Sequence, residues 1–239
     1  MFKNKNILFF AIFIIVATLG LFFYDFFSRT LQYKNHIRHC ANKSTFCGIQ
    51  VIKLGLQEKY INKLIKISEM YGKRIEIPKK HQKNISSSII LQQMPEIENF
   101  YSMCIPIVSG VIGEKVEILD KSVETRMTLV VYEKEGDYID WHFDTNHYDG
   151  RFFTLLIPVT FEPTCGNYQY KNENGEDNDL EIFKGEAILF EGDKVFHRGK
   201  MLCKDQHRVI LSFTFVTNTQ MNLWNYAMIK MKTLGVYGK

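Results

Sequence analysis

His142 and Asp144 stand two residues apart in the stretch 132–154, YEKEGDYIDWHFDTNHYDGRFFT, and His197 follows 53 residues after Asp144. Side chains two apart on an extended chain share a face, so His142 and Asp144 can point at one ion while Phe143 points away. Two imidazoles and one carboxylate can hold iron(II) on one face and leave the opposite face open for chemistry. Such a site normally needs a bound co-substrate, and Arg208, in the run HRVILSFTF, offers a guanidinium that can grip a carboxylate through two hydrogen bonds. Alternation puts Arg208, Ile210, Ser212 and Thr214 on one face, with Ser212 on the side of the arginine. An inward arginine without an anionic partner is costly, so the pattern demands one. His147 and Asp149 are weaker ligand candidates because they fall in a turn, and His207 faces away from Arg208. Trp141, Phe143, Tyr148, Phe152 and Phe196 are candidate walls for the site.

The elements that must position these groups are short β runs at 126–132, 151–161, 166–170, 180–183, 186–190 and 207–216. Turn residues separate them: Glu135-Gly136-Asp137, Asp149-Gly150, Asn174-Gly175 and Gly192-Asp193. Many short strands after a helical entry predict a barrel or jelly-roll. Before them, Leu56, Tyr60, Leu64, Ile67 and Tyr71 recur at helical steps and predict an amphipathic helix over 54–71. Pro95 opens a second helix carrying Ile97, Tyr101, Cys104 and Ile105, which Pro106 is expected to end or kink. The segments 79–88 (KKHQKNISSS) and 171–179 (KNENGEDND) read as loops, and 222–231 as a closing helix.

Tyr132, then Gly136-Asp137-Tyr138-Ile139-Asp140-Trp141-His142-Phe143-Asp144, then Arg151-Phe152-Phe153-Thr154, resembles the iron(II)- and 2-oxoglutarate-dependent dioxygenase superfamily, most of all its prolyl 4-hydroxylase-type branch. The resemblance covers about residues 125–218, and Arg208 stands where that branch commonly has lysine. It implies a mainly β, α+β fold: a double-stranded β-helix (jelly-roll) core with N-terminal helices packed on it. It also implies Fe(II) on His142, Asp144 and His197, and 2-oxoglutarate on Arg208 with Tyr132, Thr154 and Ser212 around it. Oxygen completes the reaction, and ascorbate is a candidate addition. The activity implied is hydroxylation, with a peptidyl prolyl or lysyl residue as the leading substrate and a lipid or small molecule as the alternative. Two rival readings are a zinc hydrolase using the same triad and a non-catalytic jelly-roll binding module. Zinc is usually four-coordinate and has no use for a co-substrate arginine.

The chain has 239 residues, 46% hydrophobic and 23% charged, enough for one sizeable core. A formal charge of +4 with scattered basic residues gives no nucleic-acid footprint. Residues 7–24 carry no charge, and eighteen residues at about 1.5 Å each span roughly a bilayer's hydrocarbon. This predicts an uncleaved single-pass anchor over 1–27, a linker over 28–49 and the catalytic domain over 50–239, with the jelly-roll at about 115–218. The side of the membrane stays open. Basic residues after the run favour the cytosol, whereas Asn42-Lys43-Ser44 and Asn84-Ile85-Ser86 have the form of lumenal glycosylation acceptors. None of the five cysteines makes a CxxC pair; Cys40 and Cys47 could close a small disulfide, or all five could be reduced thiols.

Overall fold

The computed structural model describes residues 48–160, 165, 167–172, 174–221, 225, 226 and 229, together with seven positions between 10 and 24. The chain divides into two compact units, Met1–Asn42 and Lys43–Lys239. In the first, Phe10, Ile12, Phe13, Val16 and Tyr24 have helical backbone and exposed side chains. Among the described residues no helix is long and apolar enough to cross a membrane. The rest of the expected anchor, most of the linker, the Cys40–Cys47 pair and most of the closing helix lie outside the described residues.

The second unit begins with β1 (Ile49–Lys53), α1 (Glu58–Met70), β2 (Lys73–Ile77), β3 (Lys80–Ser86), α2 (Ser87–Gln93) and α3 (Ile97–Ile112). After β4 (Glu117–Ile118) and a 3-10 turn at Glu124–Arg126 come β5 (Met127–Tyr132), β6 (Tyr138–His142), β7 (Phe152–Pro158) and β8 (Tyr168–Lys171). The last strands are β9 (Asp177–Leu180), β10 (Glu186–Glu191), β11 (His197–Gly199) and β12 (Arg208–Val216). All pair antiparallel in one sheet of order β1-β10-β7-β12-β5-β3-β6-β11-β8-β9, with β2 on β3 and β4 on β12. β3 bonds to β5 through 83–86 and to β6 through Lys80 and His81. The sheet curls at that shared strand, and its two halves line one cavity between them. This is the expected jelly-roll architecture.

Strand alternation sorts the residues. On β5, Met127, Leu129 and Val131 enter the main core, while Thr128, Val130 and Tyr132 line the cavity. On β12, Val209, Leu211, Phe213 and Phe215 enter the core, while Ile210, Ser212 and Thr214 line the cavity. The core side is closed by helix residues, among them Leu64 and Ile67 of α1 and Ile97, Tyr101, Cys104, Val108 and Ile112 of α3. Tyr101 stacks on Phe213 at 4.4 Å and donates its hydroxyl to the Thr214 carbonyl. Buried Arg126 packs over the Tyr101 ring and donates to Glu98 at 2.7 Å, fastening α3 to the entrance of β5.

Several elements differ from expectation. The segment 79–88 is not a loop: most of it is β3, hairpinned to β2 through Lys79 at φ 76°, and its end opens α2. Its inward residues are the polar Gln82 and Asn84, so no apolar alternation marks the strand. Asn84 is buried there and cannot receive a glycan in the folded protein. The segment 171–179 is a hairpin turn that runs into β9, held by Lys171–Asp177 and Asn172 contacts, and the run 180–183 lies mostly beyond that strand. α3 continues through Pro106 and stops at Gly113, φ 74°. Cys104 and Val108, one on each side of Pro106, are buried, whereas the proline is exposed, where water can satisfy the carbonyl it orphans. Cys165 and Cys203 form a disulfide with Cα atoms 6.0 Å apart, and Cys104 is a buried free thiol. Replacing Pro106 by alanine restores a helix hydrogen bond at an exposed site and is expected to raise unfolding stability by about 1–3 kcal/mol, measured by urea denaturation.

Candidate metal centre

His142 ends β6 and His197 begins β11, and the two are register partners with ring centroids 4.3 Å apart. Asp144 lies just beyond β6, where its backbone N–H donates to the Gly192 carbonyl at 2.9 Å. Its Oδ1 is 3.7 Å from His142 Nε2 and 4.0 Å from His197 Nε2. One ligand atom from each of the three residues lies within 4.8 Å of the others. Each imidazole places Nδ1 against a backbone carbonyl, His142 on Asp140 at 2.7 Å and His197 on Val195 at 2.8 Å. Those acceptors keep the proton on Nδ1 and turn the Nε2 lone pairs toward the shared space. Burial pushes the His142 imidazole down to about 4; His197 adds to the shift and Asp144 opposes it. At neutral pH it is therefore uncharged, the form in which an imidazole can bind a metal. Two imidazole nitrogens and a carboxylate oxygen on one side of a cavity fit a ferrous ion.

The second oxygen of Asp144 is also held. Thr154, on β7, donates its hydroxyl to Oδ2 at 2.6 Å. Gly192, just after β10, packs against the same group: a Cβ there would stand 2.6 Å from Oδ2 and 2.9 Å from both Asp144 Cβ and Thr154 Oγ1. Glycine is required here for lack of space. Arg151 fixes the preceding residue, reaching Glu191 at 3.1 and 2.9 Å. Thr154, assigned by resemblance to the co-substrate, is thus engaged with the carboxylate of a candidate ligand.

Arg208 is not among the described residues that line the cavity, but it stands over two rings that do. Its guanidinium carbon is 4.0 Å from the Tyr132 ring centroid and 5.5 Å from that of Tyr168, both rings that line the cavity. Nη2 donates to the Lys200 carbonyl at 3.3 Å, whereas Nε and Nη1 are buried with no hydrogen-bond partner. Burial raises the Tyr132 hydroxyl above its usual range, with the arginine's charge opposing. Burial raises the Tyr168 hydroxyl in the same way, so both phenols stay neutral. Ser212 lies four residues along β12, opposite Thr128 and Leu156, and lines the cavity further from the guanidinium.

Of the expected walls, Phe143, Tyr148 and Phe152 line the cavity, and Trp141 and Phe196 do not. His197 and Gly199 face inward, so Phe196 and Arg198 face outward; there Trp141 stacks on Phe196 at 5.4 Å beneath Arg198. His147 lines the cavity outside the ligand cluster, Asp149 is exposed, and the His207 carbonyl accepts from Thr160. Sequence reasoning missed Gly192, read only as turn punctuation, and the inward row Lys80, Gln82 and Asn84 on β3.

Thr154→Val and Gly192→Ala are each expected to weaken Fe(II) or Co(II) binding by about 10–100-fold, measured by titration, with Thr154→Ser near wild type. A second expectation concerns the metal-free protein. His142 binds a proton more readily unfolded, near 6.5, than folded, at about 4, so its contribution to stability is full above pH 6.5 and is lost as pH falls toward 4. Thermal melts across that window check this, and His142→Gln should flatten the slope.

No protein-family model and no curated protein matches the sequence. Solved structures do match the fold. An oxidoreductase of the 2OG-Fe(II) oxygenase family from Burkholderia pseudomallei is 10% identical with a TM-score of 0.58, over 79% of this chain and 92% of that one. HygX from Streptomyces hygroscopicus, solved with nickel and 2-oxoglutarate bound, is 11% identical with a TM-score of 0.52, over 71% and 82%. A Trichoplax adhaerens prolyl hydroxylase in complex with a hypoxia inducible factor peptide fragment is 13% identical with a TM-score of 0.51, over 83% and 96%. The chain carries the fold of the 2OG-Fe(II) oxygenases, with a His-Asp-His cluster seated in its cavity.

Proposed function

We propose that this protein is an Fe(II)- and 2-oxoglutarate-dependent hydroxylase. The observation that carries the reading is Arg208, a guanidinium with two buried, unpartnered N–H-bearing nitrogens, packed on the Tyr132 and Tyr168 rings of the same cavity that His142, Asp144 and His197 line. Buried N–H groups on a cation call for an anion. A zinc hydrolase has no use for that cation, and a passive binding module has no use for three converging ligand atoms.

In this reading His142, Asp144 and His197 hold the metal, and Thr154 keeps the Asp144 carboxylate turned so that Oδ1 faces it. Arg208 receives the distal carboxylate of 2-oxoglutarate, with Tyr132 and Tyr168 flanking the guanidinium. Ile139, Leu156 and Ile210 line the cavity and exclude water from the space between. When bound, iron and 2-oxoglutarate supply an oxidative decarboxylation that delivers one oxygen atom of O2 to a C–H bond. The substrate we favour is a peptidyl prolyl or lysyl residue, in keeping with the peptide held by the Trichoplax neighbour; a small molecule is the second reading.

We also propose that residues 1–27 anchor the protein in a membrane, in keeping with the exposed apolar side chains on helical backbone there. The exposed Cys165–Cys203 disulfide favours an oxidising compartment for the catalytic domain.

The test is succinate release from 2-oxoglutarate with Fe(II) and ascorbate. His142→Ala should abolish it, and Arg208→Ala should raise the KM for 2-oxoglutarate about 100-fold by removing a charge-assisted pair. Equal turnover by wild type and both variants would overturn the assignment.

A further inference from the structure

Lys80, Gln82 and Asn84 alternate along β3 and all face the cavity. Gln82 is 2% exposed and Asn84 6%. Gln82 Nε2 donates to Asn84 Oδ1 at 2.5 Å, whereas Gln82 Oε1 is buried with no hydrogen-bond partner. Turning both amides end for end keeps their mutual bond and leaves the other polar atom of Gln82 unmatched instead. In either orientation a cavity-lining residue keeps one buried, unsatisfied polar atom on its carboxamide. Tyr148 adds a second: its hydroxyl is buried without a partner, and the residue lines the same cavity.

Charge is sparse around these groups. Among the described lining residues Asp144 is the only acid and Lys80 the only lysine or arginine. Asp144 is committed to the candidate metal and to Thr154. A cation entering beside Gln82 would lose its water without gaining a free carboxylate. A carboxylate would be drawn away from Gln82, to Lys80 at the start of the row or to Arg208 beyond the Tyr132 and Tyr168 rings, the group assigned above to the co-substrate. What complements a buried carboxamide is a neutral group with hydrogen-bonding capacity.

We propose that Gln82, held by Asn84, is a specificity-determining contact for a neutral amide- or hydroxyl-bearing substrate, and that the cavity rejects a lysyl ammonium. This rests on the oxygenase reading and narrows it. Of the two peptidyl candidates, the charged one is excluded by the lining.

Saturation-transfer NMR on the protein loaded with Zn(II) and 2-oxoglutarate tests it, using N-methylacetamide, acetate and methylammonium as separate probes. Saturation should reach N-methylacetamide alone, and Gln82→Leu should cut that signal at least fivefold. Methylammonium binding as well as the amide, or no amide signal on the loaded wild type, would overturn the proposal; these comparisons need no variant. Gln82→Met gives a second substitution of similar length should leucine impair folding. If either variant weakens 2-oxoglutarate as much as it weakens the amide, Gln82 serves the co-substrate and the proposal fails. Failure of wild-type protein to bind 2-oxoglutarate at all would instead defeat the oxygenase reading, so the two failures are distinguishable.

Discussion

The Asp144 carboxylate occupies the space that a Cβ on Gly192 would need and is capped by the Thr154 hydroxyl. Three strands meet in that contact: the exit of β6, the middle of β7 and the exit of β10. β6 belongs to one half of the curled sheet, and β7 and β10 to the other. The two halves need such a tie because much of the space between them is lined by polar side chains, and only part of it is packed, by Tyr132, Leu156, Phe190 and Ile210. The backbone bond from Asp144 to Gly192 reinforces the tie, and Arg151 on Glu191 fixes the turn from behind. His142 and His197 then converge through ordinary strand pairing.

The opposite face of the main sheet supplies the rigidity. Leu129, Val131, Leu211, Phe213 and Phe215 are fully buried under the helices. Strands so enclosed on one face can carry Thr128, Ser212 and Thr214 on the other without losing their place. The buried apolar rows fix the register, and a one-residue slip would exchange core and cavity residues wholesale.

That division explains what the sequence disclosed. The strands at 127–132, 152–158, 186–191 and 208–216 were legible because turn residues bracket apolar, β-branched runs. The triad was legible because His142 and Asp144 keep strand spacing and His197 follows a strand. β3 was illegible because its inward residues are polar, so a cavity-lining strand reads as a loop. Trp141 and Phe196 were only candidate walls, because aromatic type says nothing about facing; the inward His197 turns Phe196 outward, with Trp141 stacked on it. Gly192 looked like a turn signal, and only the third dimension reveals the carboxylate above it. The Cys165–Cys203 pair could not be found by local spacing, since 38 residues separate its members.

That same disulfide closes a covalent ring containing β8 to β11, and with them His197, but neither His142 nor Asp144. If β11 frays from β6, His197 stays tethered within a short leash instead of diffusing with the free chain. Recapture is then a local search over a small volume. For a candidate centre with only three protein ligands, that tether would limit escape of a bound ion during transient opening.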